Sequence, residues 1–149
     1  MRDGDKVKEM IKQATCMLDQ AYVPYSHFPV GAAILTREGK IFAGCNIENA
    51  SYGLSNCAER TAIFKAISSG YRQFDYLVVI GQTDQPITPC GACRQVMSEF
   101  CQSDMPVLMV NTKGDRMSQT IGELLPDNFK PGDMEYGKQW KQWKQWKQR

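Results

Sequence analysis

The sequence holds no run of 18 or more apolar residues, so no segment reads as a membrane-spanning helix. Its opening, MRDGDKVKEM, carries charge where a secretory signal needs an apolar core, and the expected compartment is cytoplasmic. Six cysteines among 149 residues are too sparse for a disulfide scaffold; in a reducing compartment they point to metal binding or catalysis. The one histidine, His27, precedes a strand and reads as a local hydrogen-bonding or packing residue. Acids are absent from the last twelve positions, where Lys138, Lys141, Lys144, Lys147 and Arg149 lie; the remaining residues carry 13 cations against 16 acids, a formal charge of −3. That body lacks the basic excess with which a protein grips phosphates, so neither nucleic acid nor a membrane is an expected partner.

The length fits one domain. Val7, Met10, Ile11, Ala14, Met17, Leu18 and Ala21 recur at helical spacing, predicting a first helix that starts at Asp3 or Asp5 and ends before Pro24. Residues 29–36 and 41–48 read as two strands joined by a turn at Arg37-Glu38-Gly39-Lys40, hence an antiparallel hairpin. A second helix follows the N-cap candidates Ser55 and Asn56 and stops at Ser68-Ser69-Gly70. Residues 76–81 form a buried strand, Pro89 opens a third helix, and residues 106–110 form another buried strand, so the two strands should be parallel across a helical crossover. Residues 116–120 suit an edge strand, and Thr120 with Glu123 suits a capping box. The expected fold is α/β, with a mixed sheet of about five strands.

Two clusters carry chemistry: Asn56-Cys57-Ala58-Glu59-Arg60, and Pro89-Cys90-Gly91-Ala92-Cys93. Both fall at helix starts, where the partial positive charge and free N–H groups favour a thiolate and so prepare a metal ligand. Cys90 and Cys93, three apart, share a helix face. Three thiolates leave a tetrahedral zinc with one position for water, which distinguishes a catalytic site from a closed structural one, and Glu59 stands where it can take that water's proton. Cysteine, an acid two residues on, then Pro-Cys-x-x-Cys is also a known pattern of zinc deaminases in an all-cysteine form.

With these residues in view, the chain resembles the small, zinc-dependent cytidine deaminases of homotetrameric type over residues 5–130. The matching segments are YSHFPVGA (25–32), GCNIENASY (44–52), NCAERT (56–61), PCGACRQV (89–96) and GELLP (122–126). The resemblance implies a three-layer α/β/α fold, one zinc per chain held by Cys57, Cys90 and Cys93, and hydrolysis of free cytidine and deoxycytidine to uridine and deoxyuridine in pyrimidine salvage. Glu59 would shuttle the proton, and Arg60 would draw charge from thiolate sulfur, a need that three thiolates on a divalent ion create. Asn46 and Glu48 would recognise the ribose, Phe28 would pack on the base, and the backbone at Ala58 would read its exocyclic edge. Tyr52 and Phe129 would reach the site from neighbouring subunits. The deaminase domain is expected over 1–137.

Other readings explain less. A redox Cys-x-x-Cys pair leaves Cys57-Ala58-Glu59-Arg60 without a task. A structural zinc module closed by Cys45, Cys101 or His27 leaves Glu59 idle. A deaminase of another aminopyrimidine, such as a nucleoside antibiotic, stays open within the family. Cys16, Cys45 and Cys101 are read as buried small hydrophobes. The Lys-Gln-Trp repeat at 138–149, with Trp140, Trp143 and Trp146, has a period of three that spreads lysines around a helix and builds no clean apolar face, so the tail is expected to be disordered and solvated.

Overall fold

A computed structural model describes residues 3–148. Five strands form one sheet in the order β2-β1-β3-β4-β5. They are β1 (Val30–Thr36), β2 (Ile41–Cys45), β3 (Phe74–Gly81), β4 (Pro106–Asn111) and β5 (Arg116–Thr120). β1 pairs antiparallel with β2 and β3, β3 runs parallel to β4, and β5 returns antiparallel at the edge. The helices are α1 (Asp3–Met17), α2 (Ala58–Ser68), α3 (Gly91–Phe100), the short α4 (Ile121–Leu124) and α5 (Trp140–Lys147).

The period of two along each strand divides the core into two layers. Ala33, Val78, Ile80, Leu108 and Val110 face Met10 and Ala14 of α1. Ala32, Ile34, Leu77, Val79, Val107 and Met109 face Ala58, Ala62, Ile63 and Ala66 of α2 and Cys93 and Met97 of α3. This is the expected α/β/α sandwich. Glycine sets its closeness: a Cβ on Gly31 would lie 1.9 Å from the Ala14 carbonyl oxygen, and one on Gly44 would lie 2.6 Å from Ala62 N.

The β1–β2 turn forms as the sequence predicts, with Gly39 at φ 91° and the Thr36 N–H donating to Lys40 O at 2.8 Å. The capping box of Thr120 and Glu123 is present, and α2 is followed by Gly70 at φ 96°. Five expectations are corrected. α1 ends at Met17 and tightens into a 3-10 turn over Leu18–Gln20. β2 stops at Cys45, because at Asn46–Glu48 the chain leaves β1 to pair with Tyr22 and Asn56. Ser55 and Asn56 do not cap α2; Cys57 is its N-cap. Cys16 is exposed, because two residues from buried Ala14 is 200° around a helix, on the solvent side. The extension expected to be disordered is helical over Trp140–Lys147, in keeping with the good helix propensity of Lys and Gln, and Trp146 is solvent-exposed. Residues 1–2, which precede α1, and Arg149 lie outside the described residues.

Register gathers three connections at one end of the sheet. Gly31 pairs with Cys45 and Val30 with Gly81, so the approach to β1, the exit from β2 and the exit from β3 are neighbours. Gly31→Ala is expected to destabilise the protein by about 3 kcal/mol, because the α1 backbone must give way. Gly53→Ala, with nothing within 4 Å of its added Cβ, serves as the control. Urea unfolding of both variants at equal protein concentration checks this.

Candidate metal centre

Cys57 and Cys90 are the N-cap residues of α2 and α3, both in extended conformation and neither with a side-chain cap hydrogen bond. Their side chains therefore project off the two helix ends into shared space, and Cys93 adds a third from the first turn of α3. The three Sγ atoms lie within 4.8 Å of one another, the only such group among the described residues. Cys57 and Cys90 are 3.7 Å apart, which matches the roughly 3.8 Å edge of a zinc–sulfur tetrahedron with bonds of about 2.3 Å. Cys45, Cys101 and His27 do not join the group. Cys45 is buried as expected, whereas Cys101 is only partly buried against the core, with burial pushing its thiol up to about 12.

The electrostatics favour a thiolate at Cys57. A hydrogen bond with Cys93 and, against the cost of burial, the Arg60 guanidinium bring its pKa to about 5. Arg60 Nη2 donates to Cys57 Sγ at 3.3 Å, the contact its position three residues on predicts, while Arg60 Nε is buried without a hydrogen-bond partner. Cys93 is raised, first by that hydrogen bond with Cys57 and then by burial.

Glu59 is 4% exposed. Its pKa is raised, chiefly by burial and further by the Cys57 charge, with its backbone N–H and the Cys93 thiol acting in the opposite sense. It lines a cavity of about 290 Å³ together with Cys57, Ala58, Cys90, Phe28, Asn46 and Glu48, so every predicted site residue except Arg60, Cys93, Tyr52 and Phe129 opens into one space. Arg60 and Cys93 do not line it, Cys93 being fully buried; Tyr52 and Phe129 are 74% and 57% exposed.

Residues 46–48 are more heavily engaged than the sequence suggests. Asn46 Oδ1 accepts from Val30 N at 2.9 Å and its Nδ2 donates to Phe28 O at 2.8 Å, so the side chain fixes the loop that presents Phe28. Glu48 Oε1 accepts from Tyr25 N and Ser26 N, each at 3.1 Å, and Oε2 accepts from Ser26 Oγ. Sequence reasoning missed Ser26, Ile87 and Thr88, which also line the cavity, and Arg94. Arg94 Nε donates to Pro89 O and its Nη1 to Leu124 O, both at 2.8 Å, pinning the loop that carries Cys90. The YSHF and PCGACR segments held the signal, but backbone acceptors are invisible in sequence.

Comparison with known proteins defines the class. The family described as cytidine and deoxycytidylate deaminase zinc-binding region matches residues 5–109. A cytidine deaminase of Sporosarcina psychrophila is 51% identical over 133 residues, covering 89% of this chain and 98% of that protein. One from Halalkalibacterium halodurans is 53% identical over 125 residues, covering 84% and 95%. The crystal structure of a cytidine deaminase from Burkholderia pseudomallei superposes with a TM-score of 0.80 at 52% identity, covering 82% of this chain and 98% of that one. This chain belongs to the cytidine and deoxycytidylate deaminase family, and its three-cysteine cluster fits the one zinc of that zinc-binding region.

Metal analysis is expected to find about one zinc per chain. Arg60→Ala is expected to lower resistance to a chelator, or turnover, by about 10- to 100-fold. Chelator resistance and rate equal to those of the unmodified protein would remove Arg60 from the site.

Proposed function

We infer that this chain is a zinc-dependent hydrolase that converts cytidine to uridine and ammonia. The observation that carries this reading is the buried Glu59 beside a three-thiol cluster, facing a cavity of nucleoside-binding size. Cys57, Cys90 and Cys93 would hold the ion, which when bound supplies Lewis acidity and lowers the pKa of water. The chain's own residues do the rest. Glu59 takes one proton from the attacking water and delivers it to ring N3, then takes the second from the new C4 hydroxyl and passes it to the amine as the C4–N bond breaks and ammonia leaves. Burial and the Cys57 charge raise its pKa, which makes it a stronger proton acceptor.

Phe28 packs on the base, the backbone at Ala58 reads the exocyclic edge, and Asn46 and Glu48 pair with sugar hydroxyls. Cytidine and deoxycytidine are both substrates in this reading. Arg60 offsets the negative charge of the thiolates. The domain is 1–137, and residues 138–149 lie outside the catalytic machinery. The chain assembles as a homotetramer in which Tyr52 and Phe129 reach neighbouring sites, a reading supported by the exposed apolar surface of Tyr52, Leu54 and Phe129. No helix among the described residues is long and apolar enough to cross a membrane, and a cytoplasmic role in pyrimidine salvage is proposed.

Glu59→Gln is expected to keep fold and zinc while losing at least about 10²-fold in turnover, because an amide cannot accept the proton. Retention of more than about a tenth of the rate would overturn the relay. Parallel assays with an aminopyrimidine antibiotic as substrate separate the nearest alternative within the family.

The free nucleoside is the substrate because the −3 body offers no basic track for a polynucleotide. Deleting residues 138–149 should leave cytidine turnover within about twofold, as for an appended terminus. Deamination of a cytosine-containing oligonucleotide at a comparable rate, lost on truncation, would overturn both assignments.

A further inference from the structure

The segment before β1 is folded against the exit from β2. Tyr22 N donates to Asn46 O at 3.0 Å and Glu48 N to Tyr22 O at 2.9 Å. The chain then turns sharply: His27 N donates to Val23 O at 3.0 Å, and His27 adopts φ 56°, in the left-handed region. That turn brings the Phe28 N–H back onto Ser26 Oγ at 3.1 Å. With its oxygen accepting from Phe28, the Ser26 hydroxyl is oriented to donate to Glu48 Oε2. One side chain therefore joins the backbone that presents the base-packing residue to the carboxylate assigned to the sugar.

We propose that Ser26 is a positioning residue for nucleoside binding: it locks the Glu48 carboxylate in the orientation that accepts a sugar hydroxyl, and so sets selectivity for ligands bearing that hydroxyl. The proposal rests on the assignment of Glu48 to the sugar made above. Its geometry is distinctive. Three donors come from Tyr25 and Ser26, and a carboxylate has about four acceptor positions, so one is left for a ligand. Ser26 and Glu48 also line the active cavity side by side, and both border an adjoining cavity of about 260 Å³ with Tyr25, Tyr52 and Ser55. Without the hydroxyl, Oε2 is free to turn toward that second space. The Ser26 hydroxyl is also the largest of the influences holding Glu48 below the usual carboxylate range, as expected of a donor that favours the charged form.

The test uses the zinc-loaded full chain and measures, by calorimetry, the affinities of uridine and of 2′,3′-dideoxyuridine, which lacks both sugar hydroxyls. The preference for uridine is expected to collapse in Glu48→Gln. In Ser26→Ala it is expected to fall about tenfold, the scale of one hydrogen bond to a charged group, with dideoxyuridine affinity nearly unchanged. Ser26→Thr, which keeps the hydroxyl, should restore the preference. In cytidine assays the Ser26→Ala loss should appear in KM, with kcat retained. If Glu48→Gln abolishes the preference and Ser26→Ala does not reduce it, the proposal fails while the sugar assignment stands. Equal weakening of both ligands in Ser26→Ala would mean loop support alone and also overturn it. An unchanged preference in Glu48→Gln would remove the sugar assignment, and the proposal with it.

Discussion

Everything at the active end depends on two helix N-termini meeting where thiol side chains, not hydroxyls or carboxylates, occupy the cap positions. A serine or aspartate cap turns back to bond its own helix and is typically worth about 1 kcal/mol. Cys57 and Cys90 make no such bond and instead present their sulfurs to each other. The chain gives up two ordinary caps and gains a site where two partial positive charges favour thiolate. The sheet enforces the meeting. α2 packs tightly on β2 through Gly44, and α3 follows β3, whose end is paired to the start of β1.

The same constraint explains Arg60. Three thiolates exceed the charge of a divalent ion, so the cluster needs a donor that is always charged and held at fixed geometry. A guanidinium three residues after Cys57 reaches the sulfur from within the same helix. A lysine would offer a flexible, strongly hydrated point charge that half-burial there would penalise. Glu59, between them in sequence, is 4% exposed, so the thiol cluster and a buried carboxylate share one helical turn.

What could be read from sequence follows from where each signal resides. Cys57, Glu59, Arg60, Cys90 and Cys93 were legible because their spacing alone fixes their directions at a helix start. The five strands were legible because short apolar runs and turn glycines are local. Cys16 misled because it stands near the apolar stripe in sequence yet on the other side of the helix in space. Asn46 and Glu48 were assigned to a strand, whereas they occupy an irregular segment held by Tyr22 and Asn56. Ser26 and Arg94 were invisible for a related reason. Their work is done on backbone groups and a carboxylate brought near by tertiary folding, and no local pattern encodes that.

The site is divided between parts of unequal rigidity. Ala58, Glu59 and Cys93 belong to the buried core, packed under the sheet, and a change there is felt by α2 and α3 together. Tyr25, Ser26 and Phe28 sit on an exposed connection whose order derives from a few hydrogen bonds to Asn46 and Glu48. Loops of this kind accept substitution at little cost to the scaffold. The thiol cluster and Glu59 are thus placed where the fold tolerates least change, and the Phe28 side of the cavity where it tolerates most. Variation in the 22–28 loop can therefore reshape the mouth of the cavity while the thiol cluster and Glu59 stay as they are.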